Sequence, residues 1–303
     1  MDSIILIFIC LLAGLAMQKI KAIPANAHVA LNQFAIYLLL PALSLYYIPK
    51  IQISEKIFFP VAVGWGSFLL SWLFFAVLGK IFRWPKKLQG CLIITAGFLN
   101  SSFIGFPVIE ALYGKEGLKT AILVDQPGTF VMLSTLGIVV AVLYSKGHPS
   151  GADIARRVLL FPPFIAFMVG LFMNLFHFDF TDAVQSVLQR LGSCVTPVAL
   201  VAVGLQLKIE RNSKHWGFLG LGLFVKLFLI PAFFLVLYKM VFKLQGQDID
   251  IAVMEAATPP MITAAIIASA HGLKPRLAGM MIGVGIPLSF LTMAFWFFVL
   301  KHC

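Results

Sequence analysis

The sequence predicts an all-α membrane protein whose ten transmembrane helices form two inverted five-helix repeats. Of its 303 residues, 60% are hydrophobic and only 12% are charged, whereas about a quarter of the residues of a soluble domain are charged. Ten apolar stretches each reach the roughly 20 residues that a helix needs to cross a bilayer. Residues that interrupt helices also recur at matching places in the two halves. Together these observations exclude a soluble globular domain.

Short connections separate the predicted spans. Residues 3–17 follow Asp2 instead of a basic start and precede no Ala-x-Ala site, so we interpret them as the first span and not as a signal peptide. The clearest linker, 146–157, divides the chain into a first repeat, 1–145, and a second repeat, 158–303. The spans are predicted at 3–20, 30–48, 57–80, 88–111, 118–144, 158–177, 184–206, 216–242, 250–271 and 276–300.

The distribution of Lys and Arg predicts the orientation. Connections after odd-numbered spans carry 14 of these residues and the opposite side carries 8. Positive charge favours the cytoplasmic side, so the odd connections, including the linker, are predicted to be cytoplasmic and both termini to lie outside the cell membrane. Because the net charge of +11 is spread over short connections, it indicates the lipid bilayer as a partner and argues against nucleic acid.

Two apolar segments contain residues that break helices. The first has Asn100, Ser101 and Ser102 followed by Gly105 and Pro107. The second has Thr258 followed by Pro259 and Pro260. Proline removes a backbone donor, and in lipid the freed backbone must find partners inside the protein or line a wet cavity. Two such breaks in corresponding halves indicate the binding site of a carrier; the alternative is a pair of Pro-kinked packing helices.

The breaks also indicate an internal repeat. Pro41 in the second span and Pro197 in the seventh lie 156 residues apart, and Asn100 and Pro259 lie 159 apart. Five spans in a half is an odd number, so the second half enters the membrane in the opposite orientation. This arrangement is typical of secondary carriers, although chance spacing among 16 prolines is the alternative.

The same residues resemble a known family. Residues 100–107, followed by Glu-Ala-Leu-Tyr-Gly at 110–114, resemble the Asn-rich fourth-span break of the auxin efflux carrier family, which includes plant PIN-FORMED carriers and bacterial organic-acid permeases. Residues 258–260 are similar to its ninth-span break, and residues 32–44 and 203–205 to its second and seventh spans. The resemblance covers essentially the whole chain.

This resemblance implies an elevator-type carrier. Broken spans four and nine would cross near the midplane, in a transport domain made of spans three to five and eight to ten. Spans one, two, six and seven would form a scaffold and a homodimer interface. The chain departs from plant members in its linker of about a dozen residues, which argues against plant-type phosphorylation there, and in Leu99, where plant members tend to have proline.

A broken helix exposes backbone amides that favour an anion, and the side-chain amide of Asn100 can donate to a carboxylate. By resemblance Asn100 is the first candidate for substrate contact; its alternative role is to cap the break. Hydroxyl groups, including that of Thr263, can contact substrate or bond to their own helix. The predicted substrate-binding set is Asn100, Ser101, Ser102, Gly105, Pro107, Gln126, Thr258, Pro259, Pro260 and Met261.

Ionisable residues inside spans are costly and point to function. Asp125, Glu255 and Lys226 are therefore candidates for binding a coupling ion or a proton. The alternatives are a solvated Asp125 near the outer mouth and a structural or snorkelling Lys226. No cofactor is predicted beyond a coupling H⁺ or Na⁺, and uniport stays open.

Motifs for enzymatic chemistry do not occur. The sequence has no Gly-x-Ser-x-Gly, His-Glu-x-x-His or P-loop motif, and its four cysteines have no Cys-x-x-Cys spacing. Neither a catalytic set nor a metal site is predicted. We therefore predict a secondary active or facilitative transporter of a small organic anion, either auxin-like or a mono- or dicarboxylate. The alternative is a membrane-embedded sensor that binds its ligand without turnover.

Overall fold

A computed structural model describes residues 2–24, 26–51, 57–145, 159–207 and 215–302. The linker predicted at 146–157 and several of the basic residues that predict the orientation lie outside these ranges. Within them the chain forms twelve helices and no β-strand. The helices are α1 Asp2–Met17, α2 Ala27–Lys50, α3 Phe58–Ile81, α4 Lys86–Gly97, α5 Ser101–Tyr113, α6 Gly117–Ser145, α7 Pro162–Leu175, α8 Asp182–Gln206, α9 Trp216–Val241, α10 Gln247–Ala256, α11 Ile262–Ala270 and α12 Pro275–His302.

The lengths of these helices fit a multi-pass membrane protein. Six of them, α2, α3, α6, α8, α9 and α12, are long and apolar enough to cross a bilayer. Large apolar side chains such as Leu73 and Ile81 on α3 are exposed on the outside of the bundle, as expected for a surface that faces lipid. The all-helical, multi-pass class is confirmed, and the count of ten spans stays a prediction.

Proline causes the long helices to depart from regular α-geometry. Wide turns with i→i+5 hydrogen bonds occur at Ala35–Leu39, Val124–Phe130 and Val225–Leu229. The first and third precede Pro41 and Pro231, and the second contains Pro127. A proline cannot donate, and its ring crowds the preceding turn, so a locally widened turn lets the helix continue. These irregular turns place polar residues of α6 and α9 in the protein interior.

The two predicted breaks meet in the middle of the bundle. The chain leaves α4 at Gly97 and resumes as α5 at Ser101, and it leaves α10 at Ala256 and resumes as α11 at Ile262. Between them, Leu99 and Pro260 form an isolated antiparallel bridge. We call residues 98–105 together with 257–261 the crossing.

Close glycine contacts join α1 to α8 and α7 to α2. On α1, a side chain at Gly14 would collide with the Val201 carbonyl and lie 2.9 Å from the Gly204 Cα. On α7, a side chain at Gly170 would lie 2.9 Å from the Ile48 Cβ. Small residues let helix backbones approach closely in a membrane. These four helices therefore form two tightly packed pairs.

Candidate functional site

Backbone hydrogen bonds hold the crossing together. The Asn100 amide donates to the Pro259 carbonyl at 3.1 Å, and the Asn100 carbonyl accepts from Ile104 and Gly105, which begins α5. Pro259 and Pro260 cannot donate, so the second break supplies only acceptors at this point. The extended segments thus satisfy some of the backbone groups that the breaks release, as a protein interior requires.

The Asn100 side chain reaches the second break as well. Its Nδ2 lies 3.4 Å from the Pro260 carbonyl oxygen. Its Oδ1 has no hydrogen-bond donor within the part of the chain that the structure describes, although the residue is only 1% exposed. The sequence led us to expect the amide nitrogen to face a ligand. In the structure the free atom is the oxygen, which is an acceptor.

Asp125 lies at the crossing and not at an outer mouth. The wide turn of α6 places its side chain, 3% exposed, against the first turn of α5. The Ser102 hydroxyl donates to its Oδ2 at 2.7 Å, and Gln126 Nε2 donates to the same oxygen at 3.1 Å. The backbone amide of Ser102 also faces this carboxylate. A negative charge is favourable at a helix N-terminus, so Asp125 stabilises the start of α5.

Glu255 lies in the last turn of α10 and packs against the first turn of α5. Its side chain is fully buried, and neither carboxylate oxygen has a hydrogen-bond partner among the described residues. The Ser101 hydroxyl lies beside the carboxylate, outside good hydrogen-bond geometry. A Cβ at position 105 would lie 2.5 Å from a Glu255 oxygen. Gly105, with a helical φ of −59°, therefore provides room for Glu255 and not a special backbone conformation.

Lys226 projects from a wide turn of α9 and is fully buried. Its Nζ donates to the Ala256 carbonyl at 2.9 Å, at the C-terminus of α10, where a positive charge is favourable. It interacts electrostatically with Glu255, but no ion pair within 4.0 Å joins Lys226 to an acid in the described chain. The Thr258 hydroxyl donates to the Glu255 carbonyl at 2.6 Å and so bonds to its own segment.

Two adjacent cavities lie between the crossing and one end of the bundle. A small cavity of about 50 Å³ is lined by Ser102, Asp125, Met261 and Thr263. A larger one of about 530 Å³ lies at the end where α2 and α7 begin and α6 and α11 end. Both cavities share the same wall residues, which are Ile36, Phe130, Phe161 and Thr263.

Aromatic residues form the border between these cavities. The rings of Phe130 on α6 and Phe161, just before α7, stack with centroids 3.4 Å apart. Gln33 and Ser134 add polar groups to the larger cavity. The sequence did not single out Phe130, Phe161 or Gln33 as site residues, because aromatic residues are common in any apolar span. Only the tertiary packing brings them together.

The other end of the bundle is closed. Glu110 near the end of α5 accepts a hydrogen bond from the Thr196 hydroxyl of α8 at 3.0 Å. A cavity at this end has a volume of only about 20 Å³. Within the described residues, the cavities that reach the crossing therefore lie towards the end where α2 and α7 begin.

The start of α11 differs from the start of α5. No acidic residue lies in the first turn of α11, and its first residues have no side-chain cap. Met261 and Thr263, on either side of Ile262, both line the small cavity. The start of α5 already faces Asp125. Of these two helix starts, that of α5 has a carboxylate hydrogen-bonded beside it, whereas Asp125 reaches that of α11 only as another residue in the lining of the small cavity.

An all-helical bundle of apolar spans, with interrupted helices that meet at a buried polar centre beside cavities, is typical of membrane transport proteins. The sequence profile of the family described as "Membrane transport protein" matches residues 1–297. The chain belongs to this family, and its predicted membership of the auxin efflux carrier family is confirmed.

Similar proteins carry the same general description. An uncharacterized transporter of Methanothermobacter thermautotrophicus is 28% identical over 99% of this chain and 98% of its own length. An uncharacterized transporter of Methanocaldococcus jannaschii is 25% identical over 100% and 99%. The uncharacterized transporter YfdV of Escherichia coli is 25% identical over 77% and 74%. These relatives support a transport role and not an enzymatic one, in an integral multi-pass membrane protein.

Proposed function

We propose that the protein is a secondary active or facilitative transporter that carries a small organic anion by alternating access at the crossing. The observation that carries this proposal is the pair of cavities that, within the described residues, extends from one end of the bundle to the start of α11 and the polar crossing. A carrier needs a central site open to one side at a time.

The start of α11 is the proposed site for the carboxylate of the substrate. Free backbone amides and the helix dipole favour a negative charge there, and the Thr263 hydroxyl lies in the same wall. The small cavity has room for a carboxylate group, and the larger cavity, walled by Phe130, Phe161 and Ile36, suits an apolar body. Asn100 stays a candidate contact from the opposite break. An auxin-like acid or another small mono- or dicarboxylate fits these features.

Matching contacts in the two halves support the proposed inverted repeat. In spatial terms α1 packs on α8, and α7 packs on α2. Under the proposed assignment, α1 and α8 are spans one and seven, and α7 and α2 are spans six and two. They would form the scaffold and the homodimer interface, while the helices that surround the crossing would move as the transport domain. The proposed location is the cell membrane, with both termini outside.

In the second half of the transport cycle, the closed end of the bundle would have to open. The hydrogen bond between Glu110 and Thr196 joins α5 of the proposed transport domain to α8 of the proposed scaffold. It must break if the transport domain moves to open the other side. Under the predicted orientation the open cavity faces the cytoplasm, so the structure corresponds to an inward-open state.

Proteoliposomes test this function directly. Labelled organic acids selected by a thermal-shift screen should accumulate in vesicles that contain the protein, and Thr263→Val should reduce uptake. Thr135→Val is the matched control, because its hydroxyl bonds to Val131 of its own helix and lies outside both cavities. Binding without flux for every acid would instead favour the sensor alternative. If the Thr263→Val variant binds and takes up the acid normally, the carboxylate does not bind at the start of α11.

A further inference from the structure

Unpartnered oxygen atoms are concentrated around the first turn of α5. Each is buried and has no hydrogen-bond partner among the described residues. They are Asn100 Oδ1, Ser101 Oγ, Asp125 Oδ1, Gln126 Oε1, Thr129 Oγ1 and both carboxylate oxygens of Glu255. Buried polar atoms without partners are rare in folded proteins, so a group of them requires an explanation. Five of the seven are amide or carboxylate oxygens, which accept or coordinate, and this points to a positively charged ligand.

Contacts between four of these residues, Asn100, Ser101, Asp125 and Glu255, place them around the first turn of α5. Asp125 accepts from Ser102, and Glu255 lies beside the adjacent Ser101. Asp125 and Glu255 are close enough to interact electrostatically. Asn100 directly precedes Ser101, so the group flanks the N-terminus of α5 on two sides.

The charges at the crossing do not cancel. Among the described residues, the buried charged side chains are Asp125, Glu255 and Lys226. These come from α6, α10 and α9, while α5 and α11 contribute only uncharged groups at this point. The ammonium group of Lys226 is hydrogen-bonded at the end of α10. With both acids ionised the centre would carry one net negative charge, which is costly to bury without compensation.

We propose that the crossing binds one monovalent cation, a proton or Na⁺, between the carboxyl groups of Asp125 and Glu255. Hard cations take oxygen ligands, and the two carboxylates with the neutral oxygens of Asn100 and Ser101 provide that set. A single positive charge brings the centre to neutrality. Asp125 lines the small cavity, so its negative charge would repel an anion bound there. The bound cation would also remove this repulsion. This last consequence rests on the proposed function, whereas the cation site itself does not.

Thermal unfolding of the purified protein without any organic anion tests the site. In one series, Na⁺ replaces choline at constant pH and ionic strength. In a second series, the buffer contains choline and no Na⁺, and the pH is lowered in steps. A ligand that binds the folded state raises the melting temperature as its concentration increases. A rise with Na⁺ identifies sodium, and a rise with falling pH alone identifies the proton. A melting temperature that responds to neither would overturn the proposal.

Variants distinguish the site from general effects of salt and pH. Asp125→Asn and Glu255→Gln each remove one carboxylate and should weaken cation binding about ten- to a hundred-fold. Glu116→Gln, which changes an exposed carboxylate paired with Lys119 far from the crossing, is the control and should respond like the wild type. If the folded Asp125 and Glu255 variants keep the wild-type response, the response arises elsewhere and the proposal is wrong. Cation binding in a protein that transports no organic anion would contradict only the proposed function.

Discussion

Gln18 and Asn174 lie 156 residues apart and make equivalent contacts in the two halves of the chain. Gln18 Nε2 donates to the carbonyl oxygens of Gly204 at 2.7 Å and Leu207 at 3.1 Å. Asn174 Nδ2 donates to those of Ile48 at 3.0 Å and Ile51 at 2.6 Å. The acceptors are also 156 positions apart, as are Pro41 and Pro197. One offset thus relates donors, acceptors and helix-kinking prolines.

These two amides should contribute similarly to stability. Gln18→Leu and Asn174→Leu each leave carbonyl groups at a helix end without this donor; the hydrogen bonds are partly buried, so the loss costs about 0.5–1.5 kcal/mol each. We expect both variants to melt at lower temperature in detergent, by comparable amounts. Gln247→Leu is the control, because its bond to the Tyr113 carbonyl is exposed. A large loss for one variant and none for the other would argue that the shared offset has no structural meaning.

The glycine contact between α1 and α8 gives a second stability prediction. Gly14→Ala and Gly204→Ala each place a methyl group against the backbone of the other helix, and overpacking of this kind costs about 1–3 kcal/mol. Gly279→Ala on α12 meets nothing within 4 Å and should leave stability unchanged or raise it slightly, since alanine favours helix. Melting temperatures measured side by side test this difference. Equal melting temperatures for Gly14→Ala and Gly279→Ala would contradict the close helix crossing.

The sequence predicted the positions of the breaks because their signals are local. Asn, Gly and Pro within an apolar segment leave few ways to continue a helix, and the structure interrupts the chain after Gly97 and Ala256, close to those residues. The predicted third span, 57–80, agrees closely with α3, Phe58–Ile81. The turn at Cys194 within α8 was not predicted, because that segment contains no break of comparable strength.

Partners at the crossing could not be predicted in the same way. Buried charges at 125, 226 and 255 were evident from the sequence because charge within an apolar span is conspicuous. That Lys226 bonds to a backbone carbonyl, and that Gly105 leaves space for Glu255, depends on how distant segments pack. A single sequence does not contain that information in any local pattern.

The predicted orientation leads to a topology experiment. Because the connections after odd-numbered spans carry most of the Lys and Arg residues, both termini should face outside. A phosphatase fused after Cys303, which is active only outside the cytoplasm, should be active, and a fluorescent protein that folds only in the cytoplasm should be dark. The opposite pattern would reverse the orientation and make the open cavity face outward.

Asn100 provides the sharpest test of the crossing as the substrate site. Asn100→Ala keeps the backbone hydrogen bond to Pro259 and loses only a long side-chain contact to Pro260, so the fold should persist. Nδ2 makes only this long contact in the structure, so it can turn to donate to a carboxylate; a hydrogen bond to a charged group is worth about 1.5–3 kcal/mol, and anion affinity should therefore fall about ten- to a hundred-fold in the variant. Asn100→Asp should bind still more weakly, because it places a negative charge against the carboxylate. The order of affinities should be wild type, then Ala, then Asp.

Binding is measured by calorimetry on purified protein, with the melting temperature of each variant as the check on folding. Asn26→Ala, at an exposed position before α2, is the control and should bind like the wild type. If Asn100→Ala is folded and binds the anion normally, the side chain serves only to join the two breaks. Binding of the substrate carboxylate would then depend on the start of α11 alone, and Thr263→Val should still weaken it. If Asn100→Asp binds the anion more tightly than Asn100→Ala, the charge at this position acts through the cation and not directly on the substrate.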